Sequence, residues 1–198
     1  MTIRKGEQWG EAVEPPPELL LLDSDAAVAE AFDTADRHPL GARRGDLART
    51  MGGGTDGRFE GTVVRAPIDV LEVRADDRTY HAVAHVVARR RWWRGEVVLV
   101  MNAQFLGEYD VAPRSHPNDG RMDVIQVDRR MGLRARLQAR SRARTGTHLP
   151  HPQLAASSPR ELDVTFRKPL DLWVDGVERG RVTHLRVSVL PDALTVHA

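Results

Sequence analysis

The sequence predicts a mainly β chain of the α+β class, a β-sandwich preceded by a small αβ part. Three observations predict it. From residue 62 onward the chain runs in strand-length segments rich in Val, Leu and Thr, separated by turn residues. Before residue 57 the strongest pattern is helical, led by the Ala-rich "DSDAAVAEAFDTADR". A single basic, helix-like stretch at 129–144 interrupts the strands. Many short strands with little helix favour a sandwich or barrel-like body.

Taken in order, residues 1–18 read as an extended arm, because Pro15-Pro16-Pro17 stops any helix. "ELLLL" predicts a short buried strand, and the helix after it takes Asp23 or Ser24 as its N-cap. "HPLGARRG" reads as a loop. "DLARTM" reads as a short helix capped by Asp46 and stopped by Gly52-Gly53-Gly54. Strands are then expected over "TVVRAPIDVLEVRA", "TYHAVAHVVA", "EVVLVMNAQ", "GEYDVAP" and "MDVIQVD", and later over "LDVTF", "LDLWVDG", "VTHLRVSVL" and "ALTVHA". Turns are expected at Asp76-Asp77, Gly95, Asn118-Asp119-Gly120, Asp175-Gly176 and Pro191-Asp192. In the basic stretch, Leu133 and Leu137 share one helical face, on a side too rich in Ala to insert deeply into lipid. The organisation expected is an arm at 1–18, an αβ unit at 19–57 and a sandwich at 58–198.

With 198 residues, 41% of them apolar, the chain can bury one real core. Cysteine is absent, which excludes disulfides and thiolate metal sites and favours a reducing, cytoplasmic location. The longest apolar runs are strand-sized, too short to span a bilayer. The opening "MTIRKGEQWGEAVEPPP" is polar and Pro-rich, unlike a secretion signal. Net charge is +1, but arginines cluster: four in 88–95 and seven in 129–144. Such blocks mark where an anion would dock.

The motifs need weighing singly. "GGGTDG" at 52–57 follows a helix and precedes a strand, the reverse of a phosphate loop, so it reads as a helix stop. His148 and His151 are separated by Pro150, which denies them the helix that a zinc pair needs; a loop-anchoring role is expected and no metal site. "RRRWWRG" has three readings: a strand entry with core tryptophans, contact with an anionic lipid surface, or stacking on single-stranded nucleic acid. No nucleophile elbow of the G-x-S-x-G type occurs. "NDG" at 118–120 is, taken alone, a tight turn.

An ordered constellation in the second half resembles the C-terminal β-sandwich domain of the diacylglycerol kinase family of bacterial lipid kinases, related to sphingosine and NAD kinases. It comprises Asn102, Gly107, Ala112-Pro113, Asp119-Gly120, Met122-Asp123-Val124, Asp175-Gly176-Val177-Glu178 and Pro191 through Val196. Upstream, "HPLGARRGDLARTMG" retains Pro39-Leu40-Gly41 and Asp46, Ala48, Arg49 and Gly52 of the family pattern. The family's glycine-rich phosphate loop would fall on Asp23, Ser24, Asp25, Ala26 and Ala27, where no glycine remains. Glycines let backbone amides cradle phosphates, so their loss removes the seat for ATP.

The resemblance implies that Asp119 is the inherited position of a kinase general base and that Asp25 and Asp46 lie where a nucleotide would sit. It leads to an expected degenerate lipid kinase, a pseudokinase that binds a lipid headgroup, such as that of a phospholipid, or a phosphorylated small molecule. The contacts expected are Arg90, Arg91, Trp92, Trp93, Arg94, Asn102 and Gly120. An active lipid kinase, with ATP and Mg²⁺ at an atypical or partner-completed site, is the alternative, and a nucleic-acid-associated β protein a third. Peripheral membrane contact fits the first reading, nucleic acid fits poorly with the near-zero net charge, and a homodimer is left open.

Overall fold

In the computed structural model, residues 9–35, 37–52, 59 and 61–198 are described. The "GGGTDG" stretch lies, apart from Gly52, outside the described residues. Among the described residues, eleven strands form one sheet: eight follow the order β1 (Glu11–Val13), β4, β13, β12, β6, β7, β10 and β11 (Leu154–Ser157), three more, β2 (Leu20–Leu22), β3 (Leu40–Ala42) and β5 (Arg78–Ala82), pair beside this path, and β8 (Phe105–Leu106) and β9 (Tyr109–Asp110) form a separate hairpin. The strands that build the body are β4 (Val63–Ala75), β6 (His85–Arg91), β7 (Arg94–Met101), β10 (Asp123–Val127), β12 (Glu161–Val174) and β13 (Val177–His197).

Alternation explains why this sheet closes into a sandwich. On β7, Val98 and Val100 point into one core, whereas Val97, Leu99 and Met101 point into another. The first core gathers residues of β4, β13, β12, β6, β7 and β10 into a single cluster, including Leu71, Phe166, Leu172 and Leu185. Strands so far apart in one sheet meet only if the sheet curls over on itself. The opposite face of β6, β7 and β10 is covered by the β8–β9 hairpin (Phe105–Leu106, Tyr109–Asp110) and by α3 (Leu133–Ala143).

The front part packs on the end of the same sheet. Helix α1 (Asp25–Asp33) is capped by Ser24, whose side chain accepts from the Ala27 N–H. Together with α2 (Asp46–Thr50) it buries Val28, Leu47 and Ala48 against Ile68, Val83 and Val196. Strand β2 (Leu20–Leu22) runs parallel to β3 (Leu40–Ala42), and β3 runs parallel to β13 through Val196↔Leu40. The αβ unit and the sandwich thus share one hydrogen-bonded sheet.

Several expectations are corrected. The "HPLGARRG" loop contains the buried strand β3, which three apolar or small residues cannot signal by periodicity. "ELLLL" does form a strand, but on an edge, with Leu20 38% and Leu21 39% exposed. The N-cap of α2 is Gly45, not Asp46, which is the first helical residue. Pro191-Asp192 is no turn: β13 runs through it as one 21-residue strand, with a register shift against β4 and Asp192 at φ 51°. A bulge tolerates proline because the ladder bond is already broken there. The segments "LDVTF" and "LDLWVDG" likewise join across a register shift into the single strand β12.

Candidate functional site

Two groups of buried polar residues lie at one end of the sandwich, and an apolar cavity lies on its outer face. The first group surrounds Asp119. Asp69, in the middle of apolar β4, is 1% exposed and accepts from the Gly120 N–H at 2.6 Å and the Asp192 N–H at 2.9 Å. Gly120 has φ 67°, which the turn requires. The fully buried Asn118 donates to the Asp192 carboxylate at 2.9 Å. Asn102, also fully buried, donates from its amide to the Asp69 and Val83 carbonyls and accepts from the Ser115 hydroxyl at its own carbonyl. It is a strut rather than an exposed contact. Trp9 of the arm stacks edge-on against His116 and donates to the Pro67 carbonyl.

Asp119 itself is half-buried and accepts from the Arg121 N–H at 2.9 Å. Burial pushes its carboxyl up to about 6, helped by the Asp123 and Asp69 charges against the pull of Arg121 and its amide. A carboxyl that titrates there can exchange protons near neutral pH.

The second group occupies the expected nucleotide end. Asp25, buried at the start of α1, accepts from the Asp46 N–H at 2.7 Å and the Leu47 N–H at 3.1 Å. It therefore caps α2 from another helix. Gly45 must be glycine here: its φ is 112°, and an added Cβ would strike the Asp25 carboxylate. Asp46 in turn accepts from the Gly107 N–H at 2.9 Å and pairs with His85 Nε2 at 3.0 Å. Asp175, in the β12–β13 turn, accepts from the Val83, Ala84 and His85 N–H groups. Burial and the nearby Asp175 charge push Asp25 up to about 7. Burial opposes charge on His85, but the Asp46 bond and the surrounding carboxylates raise its pKa overall. Burial likewise opposes the Asp46 carboxylate, and the His85 and Gly107 bonds outweigh it to hold that group below the ordinary range.

Asp25, Asp46 and His85 each offer an atom within 4.8 Å of the others, a spacing that could hold a metal ion. Among the described residues, the seat that ATP and Mg²⁺ would need is not built here. Asp23 is tied to Arg43 at 2.6 Å, and Ser24 through Ala27 form a capped helix start instead of a glycine turn. Both Asp25 oxygens are engaged by amides, and Asp46 is engaged by His85 and Gly107. The residues present do not fit a phosphate cradle.

The third feature is a cavity of about 370 Å³ between α3, the β8–β9 hairpin and the outer sheet face. Its floor is Val97, Leu99, Ile125 and Val127, and Leu106, Ala139 and Ala143 help to close it. Trp92 and Trp93 also line it, from the turn joining β6 to β7, where Arg91 pairs with Arg94. They are 38% and 41% exposed, so they are neither a strand entry nor core. Arg89 lies between the Trp92 and Trp173 rings, at 4.5 and 4.1 Å. His148 lines the cavity at 5% exposure; burial lowers its pKa, and its Nδ1 has no hydrogen-bond partner.

Helix α3 is turned against its own pattern. Leu133 and Leu137 face outward, 56% and 48% exposed, whereas Arg136 is 5% exposed. The Arg136 guanidinium donates to the Met131, Trp92, Gly95 and Asp128 carbonyls, which secures the helix to the hairpin.

The structure thus separates residues that the sequence reading grouped. Arg90, Arg91 and Arg94 are exposed near the start of β7, while Asn102 and the Asp119–Gly120 loop lie past its other end. Eight extended residues put them about 25 Å apart. Asp69 and His85 were missed, and Asp175 was read only as a turn and part of the family pattern; an acid or imidazole interrupting an apolar strand or its turn was the available signal. His148 was expected only to anchor a loop.

The family model of the YegS C-terminal NAD kinase beta sandwich-like domain matches residues 67–198. No curated protein matches the sequence significantly. Among solved structures, one described as a diacylglycerol kinase from Bacillus anthracis str. Sterne is similar at a TM-score of 0.66 and 12% identity, covering 90% of this chain and 77% of that one. A second structure so described, from the same organism, gives a TM-score of 0.58 at 12% identity over the same shares.

Proposed function

The chain belongs to the family of the YegS C-terminal NAD kinase beta sandwich-like domain, and on that premise we propose that it is a non-catalytic lipid-binding module of the diacylglycerol kinase type. The observation that carries this reading is the apolar cavity under α3. Its volume of about 370 Å³ is of ligand size, and its walls suit an acyl chain. Within it, Arg140 supplies positive charge for an anionic headgroup. The nucleotide end meanwhile spends its carboxylates on structure. Phosphoryl transfer is chiefly positioning and charge neutralisation of the nucleotide, and the residues at 23–27 offer neither.

The test is displacement of a fluorescent fatty acid from the purified chain by monoacylglycerol, diacylglycerol and phosphatidic acid. Saturable displacement by one of them is expected, and ATP with Mg²⁺ should not bind tightly. Tight binding of ATP·Mg²⁺ by the monomer would end the non-catalytic reading.

A second reading, an active lipid kinase whose nucleotide site a partner completes, is favoured by one observation. Asp119, with its carboxyl at about 6, could take the proton of an acceptor hydroxyl. Radiolabelled ATP offered with diacylglycerol measures any turnover. An Asp119→Asn variant as active as the parent removes Asp119 from the role.

A further inference from the structure

We infer that the end of the molecule formed by α3 and the β6–β7 hairpin is a docking face for a membrane surface rich in anionic lipid. The first observation is the reversed helix. An ordinary surface helix turns its leucines inward and its arginines out. Here Leu133 and Leu137 stand in solvent while Arg136 is inside, locked by four carbonyls. That arrangement leaves an apolar stripe with no partner among the described residues. Arg136 also donates to the Trp92 carbonyl, so the leucine stripe and the exposed Trp92-Trp93 tip belong to the same end. Tryptophans at a tip beside leucines suit the interface between headgroups and acyl chains.

The second observation is charge, and it selects the occupant. Segments 88–95 and 129–144 contain arginines but no aspartate or glutamate. Among the described residues, no ion pair engages Arg90, Arg91 or Arg94 at the tip, or Arg134 between the two leucines. An apolar stripe set beside these four arginines fits an anionic bilayer surface, which attracts each arginine near it. Among the described residues, no helix is long and apolar enough to cross a membrane. The cavity lies directly beneath this end, and drawing its ligand from the bilayer is the purpose that rests on the lipid-binding reading.

The experiment is co-sedimentation of the full chain with vesicles of phosphatidylcholine alone and of phosphatidylcholine mixed with phosphatidylglycerol. Partitioning at least about tenfold stronger on the anionic vesicles is expected, weakening as salt rises. Leu133→Ser/Leu137→Ser and Arg90→Gln/Arg91→Gln should each lower it about tenfold, and Leu133→Ala/Leu137→Ala repeats the first with helix propensity kept. None of these residues lines the cavity, so binding of a monomeric fluorescent fatty acid should be unchanged in every variant. Loss of docking with the cavity still competent therefore separates this proposal from the cavity's own. Equal binding to neutral and anionic vesicles overturns it, as does parental docking by both charge and leucine variants. Capture of single-stranded RNA at a salt concentration that releases the vesicles overturns it in favour of nucleic acid.

Discussion

The two ends of strand β7 make opposite use of the same residue types. Past Met101, carboxylates are buried and satisfied: Asp25 by α2 amides, Asp46 by His85 and Gly107, and Asp175 by three successive amides. Before Arg94, tryptophans and leucines are exposed, and a 370 Å³ cavity lies open to a ligand. One end hides polar groups to hold the fold together, and the other exposes apolar groups that the fold does not need.

The comparison breaks first at the polar end. Gly45→Ala should cost about 3 kcal/mol or more, because it forces a β-carbon into Asp25 at φ 112°. Asp25→Ala strips two amides of α2 of their acceptor and should cost about 3 kcal/mol, a fall in Tm of roughly 6–12 °C by calorimetry. If either is silent, the polar end is not what secures the front unit.

The next effect is in pH. Asp25 holds its proton up to about 7 in the folded chain, whereas the unfolded group releases it near 3.8. The folded state therefore binds the extra proton between those values, so stability is greatest below about pH 4 for this group and declines as pH rises to 7. His85, also raised, adds loss in the same direction above its ordinary 6.5. Unfolding free energies from urea titration should fall between pH 5 and pH 8 by an amount on the order of a few kcal/mol, and Asp25→Asn should flatten much of that slope. A midpoint that rises over the range contradicts the assignment.

At the open end, effects should appear in binding rather than stability. Ala139→Phe, which fills the cavity, should lower fatty-acid affinity at least about tenfold with stability within about 1 kcal/mol of the parent. Smallest of all, Leu133→Ser/Leu137→Ser should shift stability by no more than about 0.5 kcal/mol per site, since both side chains are exposed. A large loss would mean that the leucines face a packed neighbour.

What the sequence made legible follows the range of the interactions. Strand-length apolar runs such as "VVLVM" and "VIQV" placed β7 and β10, and Ser24 with its alanines placed α1, because those signals are local. The bulge at Pro191-Asp192 was read as a turn because a proline and a positive φ look the same in both settings. Asp119 and Gly120 were found through the order of turns around them, yet Asp69, which holds Gly120, lies 51 residues away in an apolar strand. Arg136 is the plainest case. Seven arginines in one stretch signify a solvated face, and only the three-dimensional meeting of four carbonyls tells which one turns inward.

Strand β13 has a consequence for how the chain reaches this state. It pairs with β3, β4 and β12, and its contact with Leu40 spans 156 residues of sequence through Val196. Closing so long a loop costs entropy before any pairing energy returns, so the sheet cannot nucleate locally at that seam. Until β13 docks, β3 and β4 both wait with open edges. Refolding should accordingly be slow, on the order of milliseconds to seconds or longer, and prone to misassociation at high protein concentration.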